Sequence, residues 1–261
     1  MRMLALVLVF ICSGALGQTR SLTIAYSEEV KPYAYIEGDQ LTGIDIEILR
    51  QLLARSNMTV NFVYIPWGRA LRSSQSGLID GVVSIFCDHS PEGLIITNEV
   101  SYTSNISVLA LKSNGFTPSD LHKNKPVRRI NVVRRSFYAS KLKDFPNLSA
   151  VYLPEITSQV NQLLQGHVDF SLSEEAWFLN TAEEKGSGDK VAVVQVIDVG
   201  KVCIGFSEKS FVNGDSFIKR VNESLKQMKQ DGVVQKILSR FSYSSAADLQ
   251  QHKAPHKPTS P

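Results

Sequence analysis

The sequence predicts an α/β protein of two lobes, each with a mostly parallel sheet flanked by helices. Apolar stretches alternate between strand and helix periodicity, which is typical of parallel sheets covered by helices. This pattern starts near Ser21 and starts again near Val127. Two extended stretches, "SNISVLALKS" and "VAVVQVIDVGKVCIGFSE", join the two patterns, so we expect a double-stranded hinge beside a cleft.

The N-terminal stretch "MRMLALVLVFICSGALGQ" has the pattern of a secretory signal peptide. Arg2 precedes an apolar run of about ten residues, and small residues follow up to Gly17. The run is shorter than the roughly 20 residues of a membrane-spanning helix. The alternative is a buried N-terminal strand or an anchor. We predict that residues 1–17 are cleaved and that the mature chain is exported to the periplasm.

The first half of the mature chain predicts five elements in order. "SLTIAY" predicts a strand, and Gly-Asp between aromatic runs in "KPYAYIEGDQLTG" predicts a hairpin. "IDIEILRQLLARSN" has helical spacing, and we interpret Asp45 and Glu47 near its start as capping and dipole complement rather than a catalytic dyad. "VNFVYI", "PWGRALRSSQSG" and "IDGVVSIF" predict a strand, a helix that opens with proline, and a strand buried on both faces.

The second half repeats the alternation. "VRRINVVRRS", "SAVYLP" and "HVDFSLS" predict strands. "FYASKLKDF", "EITSQVNQLLQG" and "EEAWFLNTAEEKG" predict helices, the last ending at glycine. Two closing helices are expected in "DSFIKRVNESLKQMKQDG" and "VVQKILSRF". The polar segment 244–261 contains three prolines and predicts a disordered tail.

Composition argues against several functional classes. The formal charge is +3, or +2 without Arg2, which is too close to neutral to favour nucleic-acid binding. The five histidines lack metal-ligand spacing, so neither a metal nor a cofactor is predicted. Cys87 and Cys203 remain after export; an oxidising compartment permits a disulfide, but their spacing leaves open whether they pair.

The chain resembles the extracytoplasmic solute-binding proteins of the polar amino acid type (family 3). The matching motifs are "LTGIDIEIL", "IPWGRAL", "QSGLIDGVVS", "SPEG", "SYTSNISVLALKS", "LLQGHVDFSLSEE" and "VNESLKQMKQDGVVQKI". The resemblance implies the periplasmic binding protein type II fold, with lobe I formed by residues 18–105 and 203–243 and lobe II by residues 106–202. It implies a monomer that closes over a small polar ligand, an amino acid or a related compound, for an ABC transporter permease.

Two other functions stay open. A sensory protein would present its closed form to a membrane receptor instead of a permease. A cyclohexadienyl-dehydratase-like enzyme would use a cleft carboxylate as general acid, and Glu174 is the candidate. We see no paired base or nucleophile beside Glu174 in the sequence, so we predict no catalytic residues and no enzyme.

One motif departs from the family pattern. Family members that bind α-amino acids usually carry Thr-Pro-Glu-Arg, whose arginine holds the ligand carboxylate. Here the match is Ser90-Pro91-Glu92-Gly93, with one extra residue before it. A bidentate arginine–carboxylate pair is strong and geometrically selective. Either the ligand lacks that carboxylate or another cation reaches it.

Candidate ligand-binding residues lie where strands end at the cleft. Trp67 matches the family's aromatic platform, and Glu174 matches the acid that receives the ligand ammonium. Arg134, with Arg135 beside it, and Arg69 are the candidate substitute cations. Each candidate also has an alternative role that involves no ligand. Trp67 could pack at a helix start, Glu174 could favour the positive N-terminus of a helix, and the arginines could be solvated or paired with surface acids. The full set of candidates is Tyr26, Ser27, Trp67, Arg69, Ser84, Cys87, Arg134, Arg135, Ser136 and Glu174.

Overall fold

A computed structural model of the chain describes residues 20–26, 30–89, 91–122, 125–134, 136–210, 215–241 and 243. The predicted signal peptide, the predicted tail, and the candidates Ser27 and Arg135 lie outside these residues.

The described residues form strands, α-helices and short 3₁₀ helices. The strands are β1 (Arg20–Tyr26), β2 (Tyr35–Glu37), β3 (Gln40–Thr42), β4 (Met58–Tyr64), β5 (Gly81–Phe86), β6 (Leu94–Ile96), β7 (Tyr102–Leu111), β8 (Arg128–Val133), β9 (Leu148–Leu153), β10 (Phe170–Glu174) and β11 (Val191–Ser207). The α-helices are α1 (Ile44–Ala54), α2 (Trp67–Ser76), α3 (Ile156–Leu164), α4 (Glu175–Glu184), α5 (Asp215–Gln230) and α6 (Val233–Arg240). The 3₁₀ helices include Cys87–His89 and Phe137–Asp144.

The predicted two-lobed α/β fold is confirmed, and its sheets join into one. The strand order is β4-β1-β5-β11-β7-β10-β8-β9, with β6 also paired to β11. Strands β4, β1 and β5 are mutually parallel in one half, and β10, β8 and β9 are mutually parallel in the other. The long strands β7 and β11 pair antiparallel between the halves, so they are the two predicted crossings.

The strand register places the carboxyl ends of both halves opposite each other. Strand β5 ends at Phe86, which pairs with Val202, and Val202 pairs with Tyr102. Strand β10 runs the opposite way and ends at Glu174, which pairs with Ile106. Four residues of β7, or about 13 Å at roughly 3.3 Å per residue, therefore separate the two ends. Residues 103–105 and 199–201 form the floor of a cleft between them.

Each half has its own apolar core. One cluster combines early residues such as Leu22 and Leu49 with late residues such as Val221 and Leu238. Two further clusters, built around Phe170 and Phe178, cover the two faces of the sheet in the other half. Burial of these side chains supplies the main driving force for folding each half.

Local sequence signals explain most element boundaries. Pro66 directly precedes α2, and Gly77 ends it in the left-handed region with φ of 81°. The hairpin β2–β3 turns at Gly38, as expected. The predicted helix "FYASKLKDF" is a 3₁₀ helix over Phe137–Asp144, a distinction that periodicity over eight residues does not resolve. Within the described ranges, no helix is both long and apolar enough to cross a membrane.

Candidate functional site

A cavity of about 520 Å³ lies beside the β11 part of the cleft floor. Three segments surround it: the end of β5 with the following lip (Cys87–His89), the 3₁₀ helix Phe137–Asp144 of the other half, and residues 198–201 of β11. The lining residues are Phe86, Asp88, His89, Phe137, Ser140, Lys141, Lys143, Asp144, Asp198, Val199, Gly200 and Lys201. Both halves and one crossing strand thus contribute to one cavity.

The cavity carries charges of both signs. The Lys141 ammonium lies 2.8 Å from the Asp198 carboxylate. This hydrogen-bonded pairing raises the pKa of Lys141 and lowers the pKa of Asp198. Lys143 and Lys201 have no ion pair within the described part of the chain. The site therefore offers cations and carboxylates to a ligand of either charge or of both.

Aromatic rings form one wall of the cavity. The Phe86 and Phe137 rings lie 4.1 Å apart between centroids, and the His89 ring lies 4.9 Å from the Phe137 ring. Phe86 and His89 belong to one half and Phe137 to the other, so these rings meet across the cleft.

Cys87 and Cys203 form a disulfide, with their Cα atoms 5.3 Å apart. The bond joins the lip to β11 next to the cavity. Cys87 therefore has no free thiol to offer a ligand, and its role at the site is to hold Phe86, Asp88 and His89 against the crossing strand.

Glu174 is buried, and its carboxylate is hydrogen-bonded to groups of the protein itself. Its carboxylate accepts hydrogen bonds from the backbone N–H groups of Ala176 (3.1 Å) and Trp177 (2.7 Å), so it caps α4. The Ser104 hydroxyl also donates to it. Burial raises the pKa of Glu174, and the bonds from Ser104, Trp177, Tyr33 and Ala176 oppose that rise.

Asp45 is also buried, and it does not cap α1. Gly43 occupies the N-cap position without a side-chain hydrogen bond. The Asp45 carboxylate instead accepts hydrogen bonds from Tyr102, at 2.8 Å, and from Ser84. Burial raises its pKa to about 6. Asp45 and Glu47 both lie in the first turn of α1, as charge complement to the helix dipole requires, but the capping part of the interpretation is wrong for Asp45. Tertiary contacts bring two distant hydroxyl groups to Asp45, and Glu47 pairs with the guanidinium groups of Arg50 and Arg240.

Three tyrosine rings join these carboxylates. Tyr33, Tyr102 and Tyr243 lie 5.7–5.9 Å apart between centroids. The Tyr243 hydroxyl donates to the Thr103 carbonyl at 3.0 Å. We call Tyr33, Tyr102, Tyr243, Asp45 and Glu174 the tyrosine cluster. It lies on the β7 part of the floor, with Ser104 as its link to Glu174.

Of the eight candidate residues that the structure describes, none lines the cavity. Cys87 and Ser136 adjoin lining residues in the chain. Tyr26 is buried at the end of β1, with its ring 5.6 Å from that of Tyr64. Trp67 is 39% exposed at the start of α2. A role of these candidate residues in ligand binding stays a prediction.

Arg69 and Arg134 are exposed, and the Ser84 hydroxyl donates a hydrogen bond to the Asp45 carboxylate. Ser84 also adopts φ of 62°, which is uncommon for a residue other than glycine. Sequence reasoning missed Lys141, Asp198 and Phe137 as cavity residues. The charged "KLKD" run was a usable signal, whereas Asp198 lies within an apolar strand pattern.

Gly93 has a structural reason to be glycine. Its φ is 80°, in the left-handed region, and a Cβ there would lie 3.1 Å from the Gln75 side chain. Its carbonyl accepts a hydrogen bond from the Glu208 N–H at 3.1 Å. Arginine at this position would strain the turn, so the backbone conformation favours the glycine that the sequence carries here.

Comparison with known proteins agrees with this fold. Residues 22–243 match the bacterial extracellular solute-binding proteins, family 3. The L-cystine-binding protein TcyA of Bacillus subtilis (strain 168) is 21% identical over 223 residues, which cover 84% of this chain and 80% of that protein.

Solved structures are similar in fold. The probable amino-acid ABC transporter extracellular-binding protein ytmK from Bacillus subtilis superposes with a TM-score of 0.73 at 18% identity, covering 86% of this chain and 98% of that one. A histidine kinase sensor domain with similarity to periplasmic binding proteins gives a TM-score of 0.67 at 17% identity, covering 85% and 96% of the two chains. Because the family match spans most of the chain and the fold agrees with it, this protein belongs to the bacterial extracellular solute-binding proteins, family 3.

Proposed function

We propose that this protein captures a small polar solute, an amino acid or a related compound, by closing its two lobes and then delivers it to an ABC transporter permease. The observation that carries the proposal is the cavity between the halves. Its volume of about 520 Å³ lies within the roughly 300–1,000 Å³ of small-molecule sites. Its lining combines aromatic rings with charges of both signs, which suits a zwitterion.

The ligand anion would be held from lobe II rather than from the loop after β5. Gly93 leaves the usual arginine position without a cation, whereas Lys141 and Lys143 reach the cavity from the 3₁₀ helix. Lys141 is already paired with Asp198 at 2.8 Å, so a ligand carboxylate would share it or use Lys143. The ligand ammonium would meet Asp88 or Asp144 on the same lining.

Closure would move residues 106–202 relative to residues 18–105 and 203–243 about β7 and β11. A ligand that contacts both halves binds the closed arrangement better than the open one, and that difference shifts the population. Export to the periplasm through the N-terminal segment and a monomeric state complete the proposal.

A sensory role is the second candidate, because a histidine kinase sensor domain has the same fold at a TM-score of 0.67. In that role the closed form would contact a membrane receptor. A dehydratase-like role is disfavoured, since Glu174 accepts three hydrogen bonds from its own protein and would have to give them up to act as an acid.

A ligand screen tests the proposal directly. Residues 18–261 would be mixed with each of the twenty L-amino acids and with the amines that lack their carboxylates, and thermal unfolding would be recorded. We expect at least one compound to raise the Tm, with calorimetry then giving its affinity. No shift with any compound would contradict capture of an amino acid or a related amine.

The same titration separates two sets of binding residues. If Trp67 is a platform, Trp67→Ala weakens binding by at least about 1 kcal/mol. Arg134→Ala tests the substitute cation in the same way. If the cavity is the site, Lys143→Ala weakens binding instead, while Trp67→Ala and Arg134→Ala leave the affinity unchanged.

A further inference from the structure

Beside the cavity, the side-chain contact between the halves is aromatic. Phe137, at the start of the 3₁₀ helix in lobe II, contacts the ring of Phe86 at 4.1 Å and the ring of His89 at 4.9 Å between centroids. The ring planes are tilted by 42° and 38°, between the parallel and the perpendicular arrangement. The two partners follow β5 in lobe I, so one lobe II ring contacts two lobe I rings.

The Phe86 ring packs against the cores of both halves. It contacts the cluster around Leu22 and Leu49 in lobe I and the cluster around Phe170 in lobe II. Both Phe86 and Phe137 are partly buried, and separation of the halves would expose more of their rings to water. By contrast, the ion pair between Lys31 and Glu184 spans 3.7 Å and is about half exposed, so it adds little to closure.

Gly200 makes room for these rings. A Cβ built on Gly200 would lie 2.5 Å from the Phe86 ring and 3.3 Å from the Phe137 ring. The φ of Gly200 is not in the left-handed region, so its backbone conformation is open to any residue. Glycine is therefore required here for space, because β11 must lie directly against two aromatic rings.

We propose that Phe137 is the closing residue of this protein: its insertion against Phe86 and His89 over Gly200 stabilises the closed arrangement without help from a ligand. The inference rests on the proposed closure of the two lobes. It also bears on the missing arginine clamp, since a contact built into the protein contributes to closure where a ligand-bridging charge is absent. Apparent affinity for any cleft ligand then scales with the fraction of closed protein.

Small-angle X-ray scattering without added ligand tests this inference, with Phe137→Leu as the variant and Phe116→Leu as its matched control. Phe116 also packs against a phenylalanine at a tilt of 43°, with its centroid 4.7 Å from that of Phe170, but both rings belong to lobe II. We expect Phe137→Leu to increase the radius of gyration and Phe116→Leu to leave it unchanged. Gly200→Ala adds one methyl group under the rings and should also open the protein.

Binding gives a second readout. With the L-amino acid that most raises the wild-type Tm as the probe, Phe137→Leu should lower the apparent affinity about three- to ten-fold. Scattering curves that coincide for the wild type, Phe137→Leu and Gly200→Ala would overturn the inference. An open Phe137→Leu in a protein that binds no amino acid would support the inference while contradicting the proposed function. If Phe137→Leu does not fold, Gly200→Ala alone decides, since it keeps every ring.

Discussion

The two parts of the cleft floor are built differently although the same pair of strands forms both. On β7, the tyrosine cluster buries two carboxylates and joins them to hydroxyl groups from distant segments. On β11, the edge of the strand borders a cavity lined by lysines and aspartates that reach solvent. Burial and full hydrogen bonding suit a structural joint, whereas partly exposed charges suit a site that exchanges a ligand.

The two regions are also held together by different kinds of bond. The cavity side is held by the disulfide between Cys87 and Cys203, which closes a loop of 116 residues. The tyrosine cluster is held by hydrogen bonds and ring packing. Three substitutions test the contrast between these two regions.

The largest effect is expected on the cavity side. Replacing both Cys87 and Cys203 with serine should lower the free energy of unfolding by about 2–5 kcal/mol, because the open chain has more conformational freedom when unfolded. Urea denaturation of wild type and double variant measures this difference. A reducing agent should destabilise the wild type and leave the double variant unaffected. Equal stability of the two proteins would show that the disulfide does not brace the lip.

The tyrosine cluster should respond to pH. The pKa of Asp45 is about 6 in the folded protein and 3.8 in an unperturbed chain, so the folded state binds its proton more tightly. Protonated Asp45 therefore contributes to the free energy of unfolding below pH 4, and this contribution, at most about 3 kcal/mol, is lost as pH rises through about 6.

Asp45→Asn removes this titration, so it is the control for the pH effect. Urea denaturation at several values between pH 4 and pH 7 should show the wild type losing stability relative to Asp45→Asn as pH rises. Parallel pH profiles for the two proteins would mean that Asp45 is not a buried, titrating group.

The smallest of the three effects concerns Glu174. Glu174→Ala removes the cap of α4 and should lower stability by about 1–2 kcal/mol with no ligand present. Glu155 occupies the same position before α3 but makes no capping hydrogen bond, so Glu155→Ala should cost less than about 0.5 kcal/mol. If Glu174→Ala were as stable as Glu155→Ala yet failed to bind amino acids, the result would contradict the capping role and support the predicted ligand role of Glu174.

Sequence patterns predicted the fold well because it depends on periodicity. Alternating strands and helices, Pro66 before α2 and Gly77 after it all follow from local preferences that act within a few residues. The restart near Val127 located the second half, and the two long extended stretches located β7 and β11. Family motifs further identified the solute-binding fold.

The candidate site was harder to predict because it depends on distances between segments. Asp45 and Glu174 both follow a helix-start pattern, yet only Glu174 caps its helix, since Tyr102 and Ser84 reach Asp45 from other strands. Lys141 and Asp198 are 57 positions apart in lobe II and meet only because the 3₁₀ helix Phe137–Asp144 lies beside β11.

The sequence by itself determined the order of strands and helices, the two-lobed plan and the glycine at position 93 where the resemblance implies arginine. Each of these can be read from residues that are close together in the chain. Tertiary structure alone decided that Cys87 pairs with Cys203, that the Glu174 carboxylate caps its own helix, and that the Phe86 and Phe137 rings meet over Gly200. These facts arise from long-range packing, where side chains far apart in the chain compete for the same space and the same hydrogen bonds.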